Sequence, residues 1–104
     1  MKKLYYITLE SNYRSIADAK VIKASDNGYT YVFDDYHKAN GMIYKAMMDG
    51  KIDRRDYCII EILESNVNAN KLYKCDDSSL AYKGDIELIK LGGKYGYDKT
   101  YKVK

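Results

Sequence analysis

The sequence predicts an α+β domain, with one small, mostly antiparallel sheet of about five to six strands, one long helix and one short helix. Both helical patterns lie in the first half of the chain, and strand-like segments gather in the second half, so a regular strand–helix alternation does not continue to the end. The 104 residues match the usual size of one domain, and no linker-like composition divides them. Residues 1–104 are therefore predicted to form a single domain.

Two predicted strands and the short helix open the chain. Residues 4–9 are rich in β-branched and aromatic side chains and predict the first strand. Ser11 or Asn12 can cap the short helix that follows. An Asp-Asn-Gly turn signal at 26–28 then precedes the second strand, residues 29–33.

The long helix is predicted over residues 36–47, where apolar side chains recur at a spacing of three and four after two aspartates that can cap it. Gly50 is expected to adopt the left-handed conformation that ends such a helix. Met42 and Met47 are assigned to the core by their spacing. Gly41 indicates a closely packed neighbour, because glycine in a helix otherwise costs about 1 kcal/mol relative to alanine.

The second half is predicted to consist of strands and loops. Residues 57–63 are almost continuously apolar, which is typical of a central strand covered on both faces. Residues 71–75 predict a shorter strand, and residues 80–91 predict one or two more with a turn or bulge at Gly84. Residues 100–103 predict a last edge strand.

Composition narrows the functional classes. The chain has 13 tyrosines beside one phenylalanine and no tryptophan, and tyrosine suits both half-buried strands and binding surfaces. The formal net charge of +3 is too small to indicate nucleic-acid binding by itself. Cys58 and Cys75 form no CxxC pair, and with His37 as the single histidine they supply no metal-ligand set. A cytoplasmic protein without a signal peptide or membrane span is expected.

The C-terminal segment 92–104 is basic and alternates lysine with tyrosine. Its candidate interaction residues are Lys94, Tyr95, Tyr97, Lys99, Tyr101 and Lys102. Lysines neutralise phosphates and tyrosine rings stack on unpaired bases, so the pattern permits single-stranded nucleic-acid binding. An edge strand whose lysines prevent aggregation has the same pattern.

Five segments spread over most of the chain carry a resemblance to a known superfamily. They are residues 4–8, 15–16, 31–44, 58–63 and 82–86. In order and character they resemble the ADP-ribosyltransferase and RNA 2′-phosphotransferase superfamily. Such transferases use a first-strand histidine and a late glutamate, whereas this chain has Tyr6 and Ser79 at the corresponding places. The resemblance implies a domain degenerate at the catalytic positions, with Tyr6, Tyr44 and Ser79 near a pocket for NAD or ADP-ribose.

Three functional hypotheses follow. The sequence contains no Ser-His-Asp order and no phosphate-binding glycine loop followed by a helix, so the leading hypothesis is a non-catalytic binding protein. It would act through protein–protein interaction, for example as a phage or mobile-element inhibitor of a host or defence protein. One alternative is an ADP-ribosyltransferase-like protein that binds or uses NAD or ADP-ribose; outside this alternative no cofactor is expected. The other is a nucleic-acid-binding module that uses the basic segment.

Overall fold

The computed structural model describes residues 3–75 and 79–96, and within them the chain forms two α-helices and eight strands. The helices have 10 and 13 residues, so the predicted α+β class with a shorter and a longer helix is confirmed. The helices are α1 (Glu10–Ala19) and α2 (Tyr36–Met48). The strands are β1 (Leu4–Leu9), β2 (Val21–Ile22), β3 (Tyr29–Val32), β4 (Tyr57–Ile62), β5 (Leu72–Lys74), β6 (Leu80–Lys83), β7 (Ile86–Glu87) and β8 (Lys94–Gly96).

The strands form three small antiparallel sheets, where the sequence predicted one. Two sheets have three strands each, in the orders β1-β4-β8 and β3-β6-β5, and the third is the short ribbon β2-β7. The three-stranded sheets meet at one antiparallel bridge, in which the backbones of Tyr5 and Phe33 exchange two hydrogen bonds of 2.8 Å. Between β6 and β7 the chain turns at Gly84, which has φ +93°, and the ladder of β3 with β6 ends there. The turn predicted at Gly84 is thus confirmed, although its effect on the sheet was not predicted.

The β1-β4-β8 sheet is covered on both faces. On one face, Leu4 and Ile62 belong to a core cluster against which Ile16 of α1 packs. On the other face, Ile59 packs in a second cluster with Ala39 and Ile43 of α2. Every residue of β4 after the first is buried, which confirms the predicted central strand.

Helix α2 begins and ends where the sequence predicts. The Asp35 carboxylate caps its first turn. Beyond its last turn, Gly50 has φ +76°. The amides of Gly50 and Lys51 donate to the carbonyls of Met47 and Ala46, at 2.9 and 3.0 Å, which is the glycine-ended pattern expected from sequence.

Two predictions on α2 were wrong. Met42 is 48% exposed and lies outside the core, because the buried stripe runs through Ala39 and Ile43 and residue 42 lies beside it. Met47 is half-buried. A Cβ on Gly41 would meet no atom within 4 Å beyond the helix's own backbone, so no close neighbour requires glycine there.

Within residues 3–75 and 79–96, no helix combines the length and apolar character needed to cross a membrane.

Candidate binding face

The β3-β6-β5 sheet has one buried face and one exposed face. Thr30, Val32 and Tyr82 alternate towards the inside and are almost completely buried. On the outside, Tyr31 is 42% exposed and Tyr73 is 51% exposed. Large aromatic side chains thus face solvent from two strands of a hydrogen-bonded sheet.

The exposed face carries a groove between two tyrosines. In the strand register, Tyr31 pairs with Ala81, and Ala81 pairs with Tyr73, so the three residues form one row across the sheet. The small Ala81 side chain forms the floor, and it is only 7% exposed. Tyr29 and Cys75 complete the lining of an open cavity of about 240 Å³, which we call the tyrosine groove.

One wall of the tyrosine groove is fixed by the preceding turn. The Asn27 side-chain amide donates to the Tyr31 phenolic oxygen at 2.6 Å, and its carbonyl oxygen accepts from the Tyr29 amide at 3.1 Å. Gly28 supplies the positive φ of +88° that this turn requires. Because the Tyr31 oxygen is the acceptor, its O–H stays available to donate to a bound molecule.

A positive charge stands at one end of the groove. Lys83 is exposed and lies opposite Tyr29 in the register of β3 and β6. Among the described residues, Lys83 has no ion-pair partner. The groove therefore combines aromatic walls, an apolar floor and one cation at its end.

Lys94 and Tyr95, predicted as interaction residues, make contacts within the domain. The Lys94 ammonium pairs with the Glu10 carboxylate and lies 5.0 Å from the centre of the Tyr13 ring. The hydrogen bond to Glu10 outweighs burial and raises the pKa of Lys94. The Tyr95 hydroxyl donates to Glu61 at 3.2 Å. The other candidates, Tyr97, Lys99, Tyr101 and Lys102, and the strand predicted at 100–103 lie outside the described residues.

Glu61 is a buried carboxylate that the sequence analysis did not single out. It accepts from the Gly93 amide and the Tyr95 hydroxyl, both at 3.2 Å, and pairs with the Lys3 ammonium at 3.4 Å. Burial acts to raise the pKa of Glu61, but these three partners together hold it below its ordinary value. The signal in the sequence was a single acidic residue in the apolar run 57–63.

The contacts of Glu61 give it a structural role. A Cβ on Gly92 would lie 2.2 Å from the Glu61 carbonyl oxygen, so only glycine allows the chain to approach β4 this closely. The Gly93 carbonyl accepts from the Glu61 amide at 2.8 Å. Glu61 is thus an ionised anchor for the segment that leads into β8, and it carries no proton to donate at neutral pH.

The residues predicted from the transferase resemblance do not share one pocket. Tyr6 lines an open cavity of about 290 Å³ together with Thr8, Ser15 and Lys23, and burial raises the pKa of its phenol. Tyr44 is exposed on α2, which packs against the opposite face of the β1-β4-β8 sheet.

Tyr6 and Tyr44 are separated because successive residues of a strand point to opposite faces: Tyr5 packs beside α2, and Tyr6 packs against the other core cluster. Ser79 lies just before β6, which belongs to the β3-β6-β5 sheet. The Ser79 carbonyl accepts from the Cys75 amide at 3.0 Å.

Two further observations concern metal binding and the family of the chain. Within residues 3–75 and 79–96, no three His, Cys, Asp or Glu side chains lie close enough to hold a metal ion. A scan against protein-family models and a search of curated proteins each found no match to the chain. The resemblance to ADP-ribosyltransferases therefore stays a prediction.

Proposed function

We propose that the chain is a small non-catalytic binding protein that recognises another protein through the tyrosine groove. The observation that carries this proposal is the row formed by Tyr31, Ala81 and Tyr73 on the exposed face of the β3-β6-β5 sheet. Tyrosine is enriched at protein interfaces, because its rigid ring covers a large area and its hydroxyl forms a hydrogen bond at the edge of that area. A surface of this kind binds with little loss of side-chain freedom.

The chemistry of the groove favours binding over catalysis. Cys75 is the one strong nucleophile that lines it, and a thiol needs an adjacent base or cation to become reactive. The described lining residues are otherwise three tyrosines and an alanine, and they include no His, Asp, Glu or Lys side chain beside the thiol. The narrower hypothesis, in which the partner is a host or defence protein that a phage or mobile element inhibits, remains a prediction.

Comparative capture tests the proposal. The immobilised wild-type chain, the double variant Tyr31→Ser with Tyr73→Ser, and Tyr44→Ser are each exposed to the same bacterial lysate, and the retained proteins are quantified. Tyr44 is a matched control, because its exposed fraction of 46% lies between the 42% of Tyr31 and the 51% of Tyr73. Circular dichroism verifies that all three chains are folded.

The expected result is one or more proteins retained by the wild-type chain and by Tyr44→Ser but lost from the double variant. Equal retention by all three chains would show that the groove is not the binding surface. Loss in Tyr44→Ser alone would place binding on α2 and would also contradict the proposal.

A further inference from the structure

We infer that the occupant of the tyrosine groove is an extended polyproline-II segment of the partner protein, with an acidic residue at the Lys83 end. This inference rests on the proposed function and specifies the ligand class. Four features of the groove carry it: the spacing of its walls, the hydrogen bonds that they offer, its position on the face of the sheet, and its charge.

The spacing of the walls suits a polyproline-II helix. Tyr31 and Tyr73 lie on strands that flank β6, so their Cα atoms are separated by two strand spacings, or about 9.5 Å. Ala81 adds only a methyl group between them, which leaves a slot with aromatic sides and a shallow apolar floor. Polyproline-II segments dock in aromatic-lined grooves of this kind because they are already extended and lose little entropy on binding.

The hydrogen bonds available at the walls match the same ligand. A polyproline-II backbone has no internal hydrogen bonds, so its carbonyls accept from an outside donor. The Tyr31 O–H is such a donor, since Asn27 already occupies its oxygen as an acceptor. The Tyr73 hydroxyl, which has no hydrogen-bond partner among the described residues, is a second donor.

The position of the groove distinguishes this ligand from an added β-strand. A peptide that extends a sheet pairs with the free backbone groups of an edge strand. The tyrosine groove instead lies on the sheet face, above Ala81 of the middle strand β6, where the backbone is already paired on both sides. Side chains, and not strand pairing, therefore make the contacts.

Charge and composition define the rest of the ligand. Lys83 stands at the Tyr29 end of the groove and favours a carboxylate on the bound segment. A nucleic-acid strand would call for several cations along its path, whereas this end of the groove presents one. The chain contains no proline, so a proline-rich occupant must come from a partner and not from a second copy.

Synthetic peptides test the inference directly. The probes are an acetylated octaproline followed by two glutamates, the same peptide ending in two lysines, a glycine–serine peptide of equal length ending in two glutamates, and a thymidine oligonucleotide. Binding is followed by ¹H–¹⁵N NMR titration of the wild-type chain, Tyr73→Ser, Lys83→Glu and the control Tyr44→Ser. Thermal unfolding confirms that each variant is folded.

We expect the acidic proline peptide to bind and to shift the amide signals of Tyr31, Tyr73 and Ala81. Tyr73→Ser should weaken binding by about tenfold, the loss expected for an aromatic contact at the centre of an interface. Lys83→Glu should reverse the preference between the acidic and basic proline peptides. Tyr44→Ser should bind as the wild-type chain does.

Three results would overturn the inference. Equal binding of the glycine–serine peptide would show that charge alone is recognised. Binding of the oligonucleotide at the groove, with a steep loss on adding salt, would identify a nucleic-acid surface. If no proline peptide binds up to millimolar concentration, the inference is wrong, and the proposed function stands only if the groove variants still lose proteins from the lysate.

Discussion

The two three-stranded sheets are built alike but are covered differently. Both are antiparallel and both place one strand in the middle, β4 in one sheet and β6 in the other. Helices α1 and α2 pack on opposite faces of the β1-β4-β8 sheet, whereas the β3-β6-β5 sheet buries one face and exposes tyrosines on the other. The first sheet has core side chains on both of its faces, and the exposed face of the second sheet is the candidate binding surface.

The comparison shows that a sheet face carries different side chains when it is covered and when it is exposed to solvent. On the middle strand β4, the buried positions include Ile59, Ile60 and Ile62, whose branched side chains fill the space on both sides. On the open sheet, the outward positions of β3 and β5 carry tyrosines, which tolerate water at the hydroxyl and contact at the ring. Substitutions in the two sheets should therefore differ in what they impair.

The largest expected effect is on the covered sheet. Ile59→Ala removes a completely buried side chain that packs against α2, and it should lower the free energy of unfolding by about 2–5 kcal/mol. Urea unfolding followed by circular dichroism measures this change. A loss below about 1 kcal/mol would mean that the space above β4 collapses easily and that the sheet is less tightly covered than described.

An intermediate effect is expected at Glu61 on the middle strand β4, which holds the segment that leads into β8. Glu61→Gln removes the charge that Lys3, Tyr95 and Gly93 stabilise, and it should cost about 1–2 kcal/mol at pH 7. Because folding lowers the pKa of Glu61, its contribution is complete above the ordinary glutamate value of about 4.3 and is lost as the pH falls through the lower folded value.

The pH dependence provides the internal control for Glu61. Urea unfolding of the wild-type chain and of Glu61→Gln at pH 7 and pH 3 should give a stability difference that shrinks in acid. A difference that stays the same at both pH values would indicate that the variant acts through lost packing and not through lost charge.

The smallest effect on stability is expected on the open sheet. Tyr73→Ser shortens an exposed side chain on β5 and should change the free energy of unfolding by less than about 0.5 kcal/mol. The same urea experiment measures it. If Tyr73→Ser cost as much as Ile59→Ala, Tyr73 would be part of the core, and the contrast between the two sheets would disappear.

Local signals in the sequence predicted α2 and β4 well. The cap predicted for the short helix at Ser11 or Asn12 was wrong, because α1 begins at Glu10 and both residues lie inside its first turn. The cap by Asp35 and the glycine-ended turn of α2 depend on residues within a few positions, and the buried character of β4 is visible in its own apolar run. The division into three sheets depends on which distant strands pair. The order β3-β6-β5 joins residues about 50 positions apart, so composition alone could not reveal it.

The tyrosine groove could not be predicted from the sequence for the same reason. The tyrosines of β3 and β5 were visible, but only strand pairing brings Tyr31 and Tyr73 to either side of Ala81. The C-terminal segment 92–104 was predicted as an interaction surface because its lysines and tyrosines lie close together in sequence. In the structure, Lys94 and Tyr95 instead join β8 to α1 and β4 through Glu10 and Glu61.

The Asn27 side chain connects the turn before β3 to one wall of the tyrosine groove. One side-chain amide closes the turn before β3 through the Tyr29 amide and holds the Tyr31 ring through its hydroxyl. That wall is therefore held by the turn that precedes β3, without any ligand. The Tyr73 wall has no such support among the described residues, so the entropy lost on association is concentrated on one side of the groove.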